Sequence, residues 1–345
     1  MHRPPKQFFS GLKDLEEGAS RLDASAQLLH LKKVERFGRI CTVMGYATAW
    51  IAPNPLSAYL IAQGKFTRWT SVAHHVLHGG YDALVPPGHR FHSKTFAQKG
   101  RRWLDWPDWL YPEAWKYEHN TLHHYRLGEE ADPDLVERNV EWIRQLNSPA
   151  ILKLLLIGYF MCTWKFTYYL GTVLQASEGK VKPTSRLRQV APYALIHFVL
   201  IPLLFLPLGA WAFMSILINT LLAECITNIH SFITIVTNHA GEDLYRFDGK
   251  PSGLEEFQWR QILGSTNYRT GGFLNDALHG YLNYQIEHHL WPDKSMMQYR
   301  WLQPRVKALC ADYQVPYIQE SVWIRLRKTL SIMLGRSDMK TAWSS

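Results

Sequence analysis

Long apolar stretches alternate with polar segments along the chain, and the clearest of them has the length of two membrane spans. From Val190 to Ile235, Glu224 is the only Asp, Glu, Lys or Arg. This length suffices for two bilayer-spanning helices of about 20 residues each. The residues "PLGA" near its middle predict a tight turn. We therefore predict a hairpin of two spans at about 190–207 and 210–235.

A second, weaker apolar pair lies between Ile40 and Thr70. Pro53 and Pro55 interrupt it, and it contains the charged residues Lys65 and Arg68. A break of this kind is again typical of a turn between two helices. We predict spans at about 40–53 and 56–74.

The third apolar stretch, at about 150–176, carries Lys153 and Lys165. If it crossed the bilayer, the basic loop after it would lie on the opposite side from the polar segments between the hairpins. Short basic loops tend to remain cytoplasmic, so we predict an interfacial helix instead. The basic residues of that loop are Lys180, Lys182, Arg186 and Arg188.

These elements define an all-α integral membrane fold with four transmembrane helices in two hairpins. A cytoplasmic helical cap is formed by the polar segments. We predict a cytoplasmic N-terminal segment at 1–39, a membrane domain at 40–320 and a cytoplasmic C-terminal tail at 321–345. The protein is then a multi-pass membrane protein whose polar cap faces the cytoplasm.

The composition excludes several classes of protein and of site. The chain of 345 residues is 47% hydrophobic, which excludes a disordered protein, and its net charge is +9. No arginine-rich run or nucleic-acid-binding motif accompanies that charge, so basic cytoplasmic loops explain it and nucleic acid is not an expected partner. The four cysteines include no CxxC pair, so neither a disulfide framework nor a thiolate metal site is indicated.

Eight of the 16 histidines fall into three clusters, each just outside an apolar stretch. On an α-helix, residues four apart lie on nearly the same face, so each of two HxxxH pairs can converge on one metal site. A histidine adjacent to such a pair points about 100° away and can reach a second ion. The clusters are "HHVLHGG" with His74, His75 and His78, "EHNTLHHYRLG" with His119, His123 and His124, and "QIEHHLWP" with Gln285, His288 and His289.

Imidazole ligands suit zinc, iron, copper and nickel, so ligand chemistry alone does not name the metal. A structural zinc site needs about four ligands and leaves half of these histidines unexplained. Two ions with an open position for oxygen account for the clusters better, and iron is the preferred metal. His75 is an alternative to His74, because His75 and His78 also share a helix face.

The clusters resemble the three histidine boxes of the membrane fatty acid desaturase family, which read HxxxH, HxxHH or HxxxHH, and HxxHH or QxxHH. Further similarities are "EADPDL" after the second box, "NHAGED" after the last span and "LNYQIEHHLWP", which is similar to the third-box region of front-end desaturases. The resemblance covers roughly 69–317 and makes 40–320 a desaturase domain.

This resemblance implies two non-haem iron ions, dioxygen as co-substrate and no catalytic side chain apart from the metal ligands. Gln285 stands where other members carry a histidine and is expected to hydrogen-bond a ligand. Asp132 and Asp134 either orient ligand imidazoles or, for Asp132, form a turn with Pro133. The implied ligands are His74, His78, His119, His123, His124, His239, His288 and His289.

The expected activity is oxygen-dependent insertion of a double bond into an acyl chain carried by a lipid, coenzyme A or an acyl carrier. A fatty-acyl hydroxylase or acetylenase on the same scaffold and a non-catalytic metal-binding membrane protein are the alternatives.

No fused cytochrome b5 signature precedes Gly38, so a separate ferredoxin or cytochrome b5 is the expected electron donor. The basic cytoplasmic surface, including Arg325, Arg327 and Lys328 near the C-terminus, is one candidate docking surface for it. The bacterial inner membrane is the preferred location and the endoplasmic reticulum the alternative.

Overall fold

A computed structural model describes residues 3–169, 171 and 185–342. Side chains are described outside 168–169 and 185–189. Residues 180–184 of the basic loop and the end of the proposed interfacial helix at 172–176 therefore lie outside the described part, and Arg186 and Arg188 are described by their backbone alone. The described residues are mostly helical, which confirms the predicted all-α class.

The first helices form the N-terminal half of the fold. In chain order they are α1 (Lys6–Ser20), α2 (Ala24–Ala49), α3 (Pro55–Phe66), α4 (His74–Leu77), α5 (Arg102–Asp105), α6 (Pro112–Trp115), α7 (His124–Arg126), α8 (Val136–Asn139), α9 (Glu141–Arg144) and α10 (Ala150–Trp164).

The remaining elements include a parallel pair of short strands, β1 (Tyr245–Phe247) and β2 (Lys340–Ala342). The helices are α11 (Ser185–Leu195), α12 (Ile201–Leu203), α13 (Ala210–Ile235), α14 (Leu254–Leu263), α15 (Phe273–Leu278), α16 (Gln285–Leu290), α17 (Met296–Asp312) and α18 (Val322–Met333). Wider π-helical turns occur at Thr67–Ala73, Lys116–His123, Lys165–Tyr169 and Ile196–Leu200, and short 3₁₀ turns at Asp82–Leu84, Lys99–Arg101, Leu206–Leu208, Val236–Asn238 and Leu282–Tyr284.

Helices α2 and α3 form the first hairpin. The side chain of Asp23 caps α2 by accepting a bond from the Ala26 amide, and Asn54 caps α3 by accepting one from the Ser57 amide. The two helices approach closely, because a Cβ placed on Gly64 would lie 2.8 Å from the carbonyl oxygen of Gly38. Helix α2 begins well before the predicted start near residue 40, so it continues into the polar N-terminal segment.

Three helices among the described residues are long and apolar enough to cross a membrane, at Ala150–Thr167, Val190–Leu208 and Ala210–Asn238. The last two match the predicted second hairpin, and Gly209 lies at its turn with a φ of 110°. The first is the helix that we predicted to be interfacial, and its length also permits a span. A membrane protein is therefore confirmed, while the arrangement of four spans stays a prediction.

Polar bonds join α13 to the first hairpin. Asn219 donates to the carbonyl oxygen of Ala49 and accepts from the Asn54 amide, at 2.9 and 3.0 Å. One helical turn and a half further, Glu224 pairs with Lys65 of α3. Lys65, whose charge interrupts the apolar sequence of α3, is thus neutralised by Glu224, the single acidic residue of the second hairpin.

Candidate metal centre

Four buried or half-buried histidines from three chain segments form a first group. His74, His78, His119 and His288 each offer a ring nitrogen, and these nitrogens lie within 4.8 Å of one another. The closest pair is His74 Nε2 and His288 Nε2 at 2.9 Å. Four imidazoles converging on one point can hold a metal ion.

A second group contains His123, His239 and His289, again with ring nitrogens within 4.8 Å. His239 follows the last span, and Gln285 approaches it with Nε2 to Nε2 at 2.9 Å. The structure therefore brings His239 to the histidines of the second and third boxes, and places Gln285 beside it.

His124 lies between the two groups. Its ring centroid is 4.6 Å from that of His78 in the first group and 4.3 Å from that of His289 in the second. All eight histidines implied by the family resemblance are thus contiguous, in an arrangement suited to two neighbouring ions.

The second box differs from the α-helical prediction in its local structure, because a π-helical turn extends from Lys116 to His123. The rings of His119 and His123 nevertheless stack, with centroids 5.2 Å apart, and their nitrogens lie within 4.8 Å of a carboxylate oxygen of Asp134. His119, His123 and Asp134 therefore form a third possible ligand set, which links the first group to the second. A second π-helical turn ends immediately before His74.

Several of the imidazoles have a polar partner within hydrogen-bond distance of the ring nitrogen that faces away from the two groups. Asp132 Oδ1 lies 2.9 Å from His123 Nδ1, and Asp132 also accepts bonds from the amides of Gly128 and Asp134. The Asp134 carboxylate is more distant, at 3.6 Å from His123 Nδ1. Asp132 thus both closes a turn and contacts an imidazole, which joins the two alternatives drawn from the sequence.

Two further partners gave no signal in the sequence. Tyr299 of α17 lies with its hydroxyl 3.2 Å from His288 Nδ1, and Gln261 of α14 lies with Oε1 3.0 Å from His289 Nδ1. Such bonds select the ring orientation and the tautomer of a ligand. Both partners are remote in sequence, so only the tertiary structure identifies them.

The chemistry of the donors fits a metal. The Nε2 atoms of His78 and His289 and both ring nitrogens of His119 and His124 are buried with no hydrogen-bond partner among the described residues. Burial also lowers the pKa values of His78, His119 and His124 well below the usual range. These rings are therefore neutral, as ligation requires, and their unpaired nitrogens are available for bonding.

His75, the alternative to His74, lies outside both groups. Its Nδ1 is 2.8 Å from the Ser71 carbonyl oxygen, which directs the ring back along its own helix. The structure therefore assembles the group with His74.

Two neighbours of the histidines were not identified from sequence. Trp115 is buried and stacks on His119, with ring centroids 4.6 Å apart. Glu118 is fully buried, and neither of its carboxyl oxygens has a hydrogen-bond partner among the described residues. Burial, followed by the charges of Asp134 and Asp132, raises the pKa of Glu118 well above its usual range.

An apolar cavity of about 220 Å³ reaches the second histidine group. Asp134 and His239 line one part of it, and Phe160, Trp164 and Phe232 supply aromatic walls. Thr167 also lines the cavity, and its side chain is exposed. The cavity therefore connects the histidines to the outer surface of the helix that contains Trp164.

The segment after His239 is fixed by α18. Arg325 is fully buried, donates to both carboxylate oxygens of Asp243 at 2.7 Å and donates to the Ala240 carbonyl oxygen at 3.0 Å. Lys328 also pairs with Asp243 and with Glu320. Of the three basic residues expected at a docking surface, Arg325 is therefore buried and paired and Lys328 is paired near the surface, whereas Arg327 is exposed.

Comparison with known proteins agrees with this geometry. A relative from Mycobacterium tuberculosis, "NADPH-dependent stearoyl-CoA 9-desaturase", is 26% identical over 92% of this chain and 78% of its own length. The "Acyl-lipid (8-3)-desaturase" of Mortierella alpina is 25% identical over 61% of this chain and 50% of its own. The "Delta(8)-fatty-acid desaturase" of Helianthus annuus is 26% identical over 61% and 48%.

The model of the family described as "Fatty acid desaturase" matches residues 48–321. The match includes the eight clustered histidines, the partners Asp132, Gln261 and Tyr299, and both predicted hairpins except residues 40–47; of α2 it includes only the last two residues. The chain therefore belongs to the fatty acid desaturase family, and it is an oxidoreductase of that family.

Proposed function

We propose that the protein is an oxygen-dependent acyl-chain desaturase with two non-haem iron ions held by the two histidine groups. The observation that carries the proposal is the pair of buried histidine groups, whose unpartnered ring nitrogens converge at the end of an apolar cavity. A structural zinc site would use about four of these imidazoles and leave the others without a role.

The ions would supply the oxidising power needed to remove hydrogen from an unactivated methylene, which no side chain can deprotonate. Overall, two electrons from the substrate and two from an external donor, with two protons from solvent beyond the two substrate hydrogens, reduce dioxygen to two waters. The protein's contribution is positional. His78, His119 and His124 remain neutral in their buried positions, and Asp132 holds the orientation of His123.

The apolar cavity is the proposed binding site for the acyl chain. Its aromatic walls at Phe160, Trp164 and Phe232 exclude water, and His239 places one end beside the second histidine group. Each buried methylene contributes about 0.8 kcal/mol, so a chain of several methylenes is held without polar contacts. This positioning is what selects one carbon–carbon bond for oxidation.

The substrate carrier follows from the relatives only as a class. One is named for stearoyl-CoA and another for an acyl-lipid, so a fatty acyl group on coenzyme A, a lipid or an acyl carrier is proposed. An external ferredoxin or cytochrome b5 supplies the electrons. We propose that the histidine site faces the cytoplasm, in a bacterial inner membrane or, alternatively, in the endoplasmic reticulum.

The test is mass spectrometry of total fatty acids from a host that expresses the chain, compared with His123→Ala and His288→Ala. His89→Ala serves as control, because His89 lies outside both histidine groups. Desaturation predicts a product two hydrogens lighter, present with the wild type and control and absent with both variants.

Other products would redirect the assignment. A product one oxygen heavier identifies a hydroxylase, and one four hydrogens lighter identifies an acetylenase. If no new lipid forms and the purified protein binds no iron, the di-iron proposal fails and the non-catalytic alternative gains support.

A further inference from the structure

A basic cleft separate from the histidine groups lies between α2, α3 and the segment that precedes α6. It has a volume of about 410 Å³. None of its lining residues belongs to the histidine groups, so the desaturase chemistry does not account for it. Its lining comprises Arg39, Thr42, Val43, Arg68, Arg90, Arg101, Leu104 and Asp105.

Three of the four arginines are paired with carboxylates. Arg101 donates Nε and Nη2 to Asp105 at 2.8 Å each. Arg39 donates to Glu35 at 2.9 Å, and Arg90 donates to the same carboxylate with Nη1 to Oε2 at 3.3 Å. These bonds engage Asp105 of the cleft lining and Glu35, which lines the small adjoining pocket that shares Arg39 and Arg68.

Arg68 has no ion pair or hydrogen bond within the described part of the chain. Its side chain is half-buried. The like charges of Arg39 and Arg90 act on it, as do the opposite charges of Glu35 and Asp105, neither of which forms an ion pair with it. A guanidinium keeps its charge at all physiological pH values and is costly to withdraw from water unless it is paired. The cleft therefore has a position for an anion that this chain does not supply.

The net charge of the cleft indicates how much negative charge that anion would carry. Four guanidiniums face two carboxylates, Glu35 and Asp105, so the cleft has an excess of about two positive charges. The forked donors of arginine match the oxygens of a phosphate group. A phosphate ester is therefore the class of ligand that fits.

The cleft also has an apolar, exposed edge. Val43 is 65% exposed and Leu104 is 71% exposed, and Val43 continues the exposed apolar face of α2 at Ile40 and Met44. Exposed apolar side chains beside arginines are typical of the boundary between lipid headgroups and hydrocarbon. A soluble phosphate compound would gain nothing from such an edge, whereas a phospholipid would bury its acyl chains there.

We propose that this cleft binds the phosphate of an anionic phospholipid, with Arg68 as the principal contact and with the lipid chains against Val43 and Leu104. The site goes beyond the proposed desaturase function and does not depend on it. Bound lipid would connect α2, α3 and the segment before α6, and so would stabilise the region from which the first histidine box extends.

The test uses the purified full-length protein in detergent and native mass spectrometry with phosphatidylglycerol and phosphatidylcholine of equal chain length. The wild type should retain about tenfold more phosphatidylglycerol, the ratio expected from one charge-assisted contact. Arg68→Gln should abolish this preference. Arg36→Gln should preserve it, because Arg36 is an exposed arginine of α2 that does not line the cleft.

A second pair of variants protects the test against misfolding of Arg68→Gln. Val43→Glu adds a competing carboxylate at the cleft edge and should abolish the preference. Met44→Glu, at the adjacent exposed position outside the cleft, should leave it intact. Equal phosphatidylglycerol retention by Val43→Glu and the wild type would overturn the proposal.

The same experiment separates the two sources of phosphate. Coenzyme A and inorganic phosphate are added in place of lipid. If either binds the wild type in a manner lost in Arg68→Gln, while phosphatidylglycerol shows no preference, the lipid assignment is wrong and the cleft serves a soluble phosphate compound.

Discussion

Lys65 Nζ of α3 lies 2.8 Å from Glu224 Oε2 of α13, and the Tyr193 hydroxyl lies within hydrogen-bond distance of both. The two charged residues are 159 positions apart and nearly buried, with side chains 12% and 9% exposed. Each is a charged residue within a largely apolar stretch of the sequence. Together they connect the two hairpins at a point where neither could remain charged alone.

Replacing Glu224 by Leu should destabilise the protein by about 3–5 kcal/mol, because Lys65 would keep a buried charge without a partner. The double variant Lys65→Met/Glu224→Leu should recover most of this loss, since no unpaired charge remains. Thermal unfolding of the purified protein in detergent measures both. A double variant as unstable as Glu224→Leu would show that the pair has no specific role.

The division of histidines into two groups makes a prediction about metal content. His119→Ala removes a member of the first group, and His289→Ala removes a member of the second. Each should lower bound iron by about half or more, because a site lacking one imidazole holds its ion weakly. Elemental analysis of the purified protein gives the iron per chain.

The control for this prediction is His89→Ala, which should keep the full iron content. His75→Ala separates the two interpretations of the first box, because His75 faces the Ser71 carbonyl oxygen. It should also keep the iron. Complete retention of iron by His119→Ala would contradict the assignment of the first group.

Much of this fold follows from local sequence. The turn at Gly209 and the apolar length around it predict the second hairpin. The histidine spacing identifies the members of the two groups except His239, which only the family resemblance implies. The π-helical turn from Lys116 to His123 does not follow from the sequence. No local pattern distinguishes that turn from an α-helix, and packing around Trp115 and Glu118 accompanies it.

Charged residues were the other source of error. Arg325 in a basic tail suggests a free surface, yet it is fully buried against Asp243 and Ala240. Asp243 and Ala240 lie more than eighty residues earlier in the chain, so no pattern within the tail could indicate these bonds. Tyr299 and Gln261 were not identified from the sequence for the same reason. They contact His288 and His289 from helices of the predicted cap.

Asp132 should control the orientation of His123. Asp132→Asn keeps the side-chain oxygen that can accept from the Gly128 amide but removes the charge opposite His123 Nδ1. Loss of such a partner lowers metal affinity about 10- to 100-fold. Iron titration of the metal-free protein measures the affinity, and Asp134→Asn, with its carboxylate 3.6 Å from the ring, should change it less.

The pairing of Asp243 predicts a pH dependence of stability. Burial raises the pKa of Asp243, but bonds from Arg325 and Lys328 outweigh burial and hold it below its ordinary value. A carboxylate with a lowered folded-state pKa stabilises the fold above its unfolded value of about 3.9, and this stability is lost as pH falls through the folded-state pKa. Glu320 is the other acidic group facing the same cations.

Asp243→Asn should therefore lower the free energy of unfolding by about 1–3 kcal/mol at pH 7, and the difference from wild type should vanish in strong acid. Denaturant unfolding at both pH values measures it. Glu242→Gln, an exposed neighbour, should have little effect at either pH. A deficit in Asp243→Asn that persists unchanged in acid would refute the electrostatic cause.

The cavity beside His239 predicts a matched pair of variants on one helix. Thr167 lines the cavity and is exposed at its outer side, whereas Thr163 lies one turn earlier, has the same kind of bond to a carbonyl oxygen four residues back, and does not line it. Thr167→Phe places an aromatic ring where the acyl chain is proposed to enter. It should lower desaturated product and raise the KM for the acyl substrate, because the chain would lose apolar contacts worth about 0.8 kcal/mol for each methylene excluded.

Thr163→Phe should preserve both the product and the KM, and mass spectrometry of the fatty acids measures the product. Equal losses in the two variants would mean that the acyl chain reaches the histidines by another route.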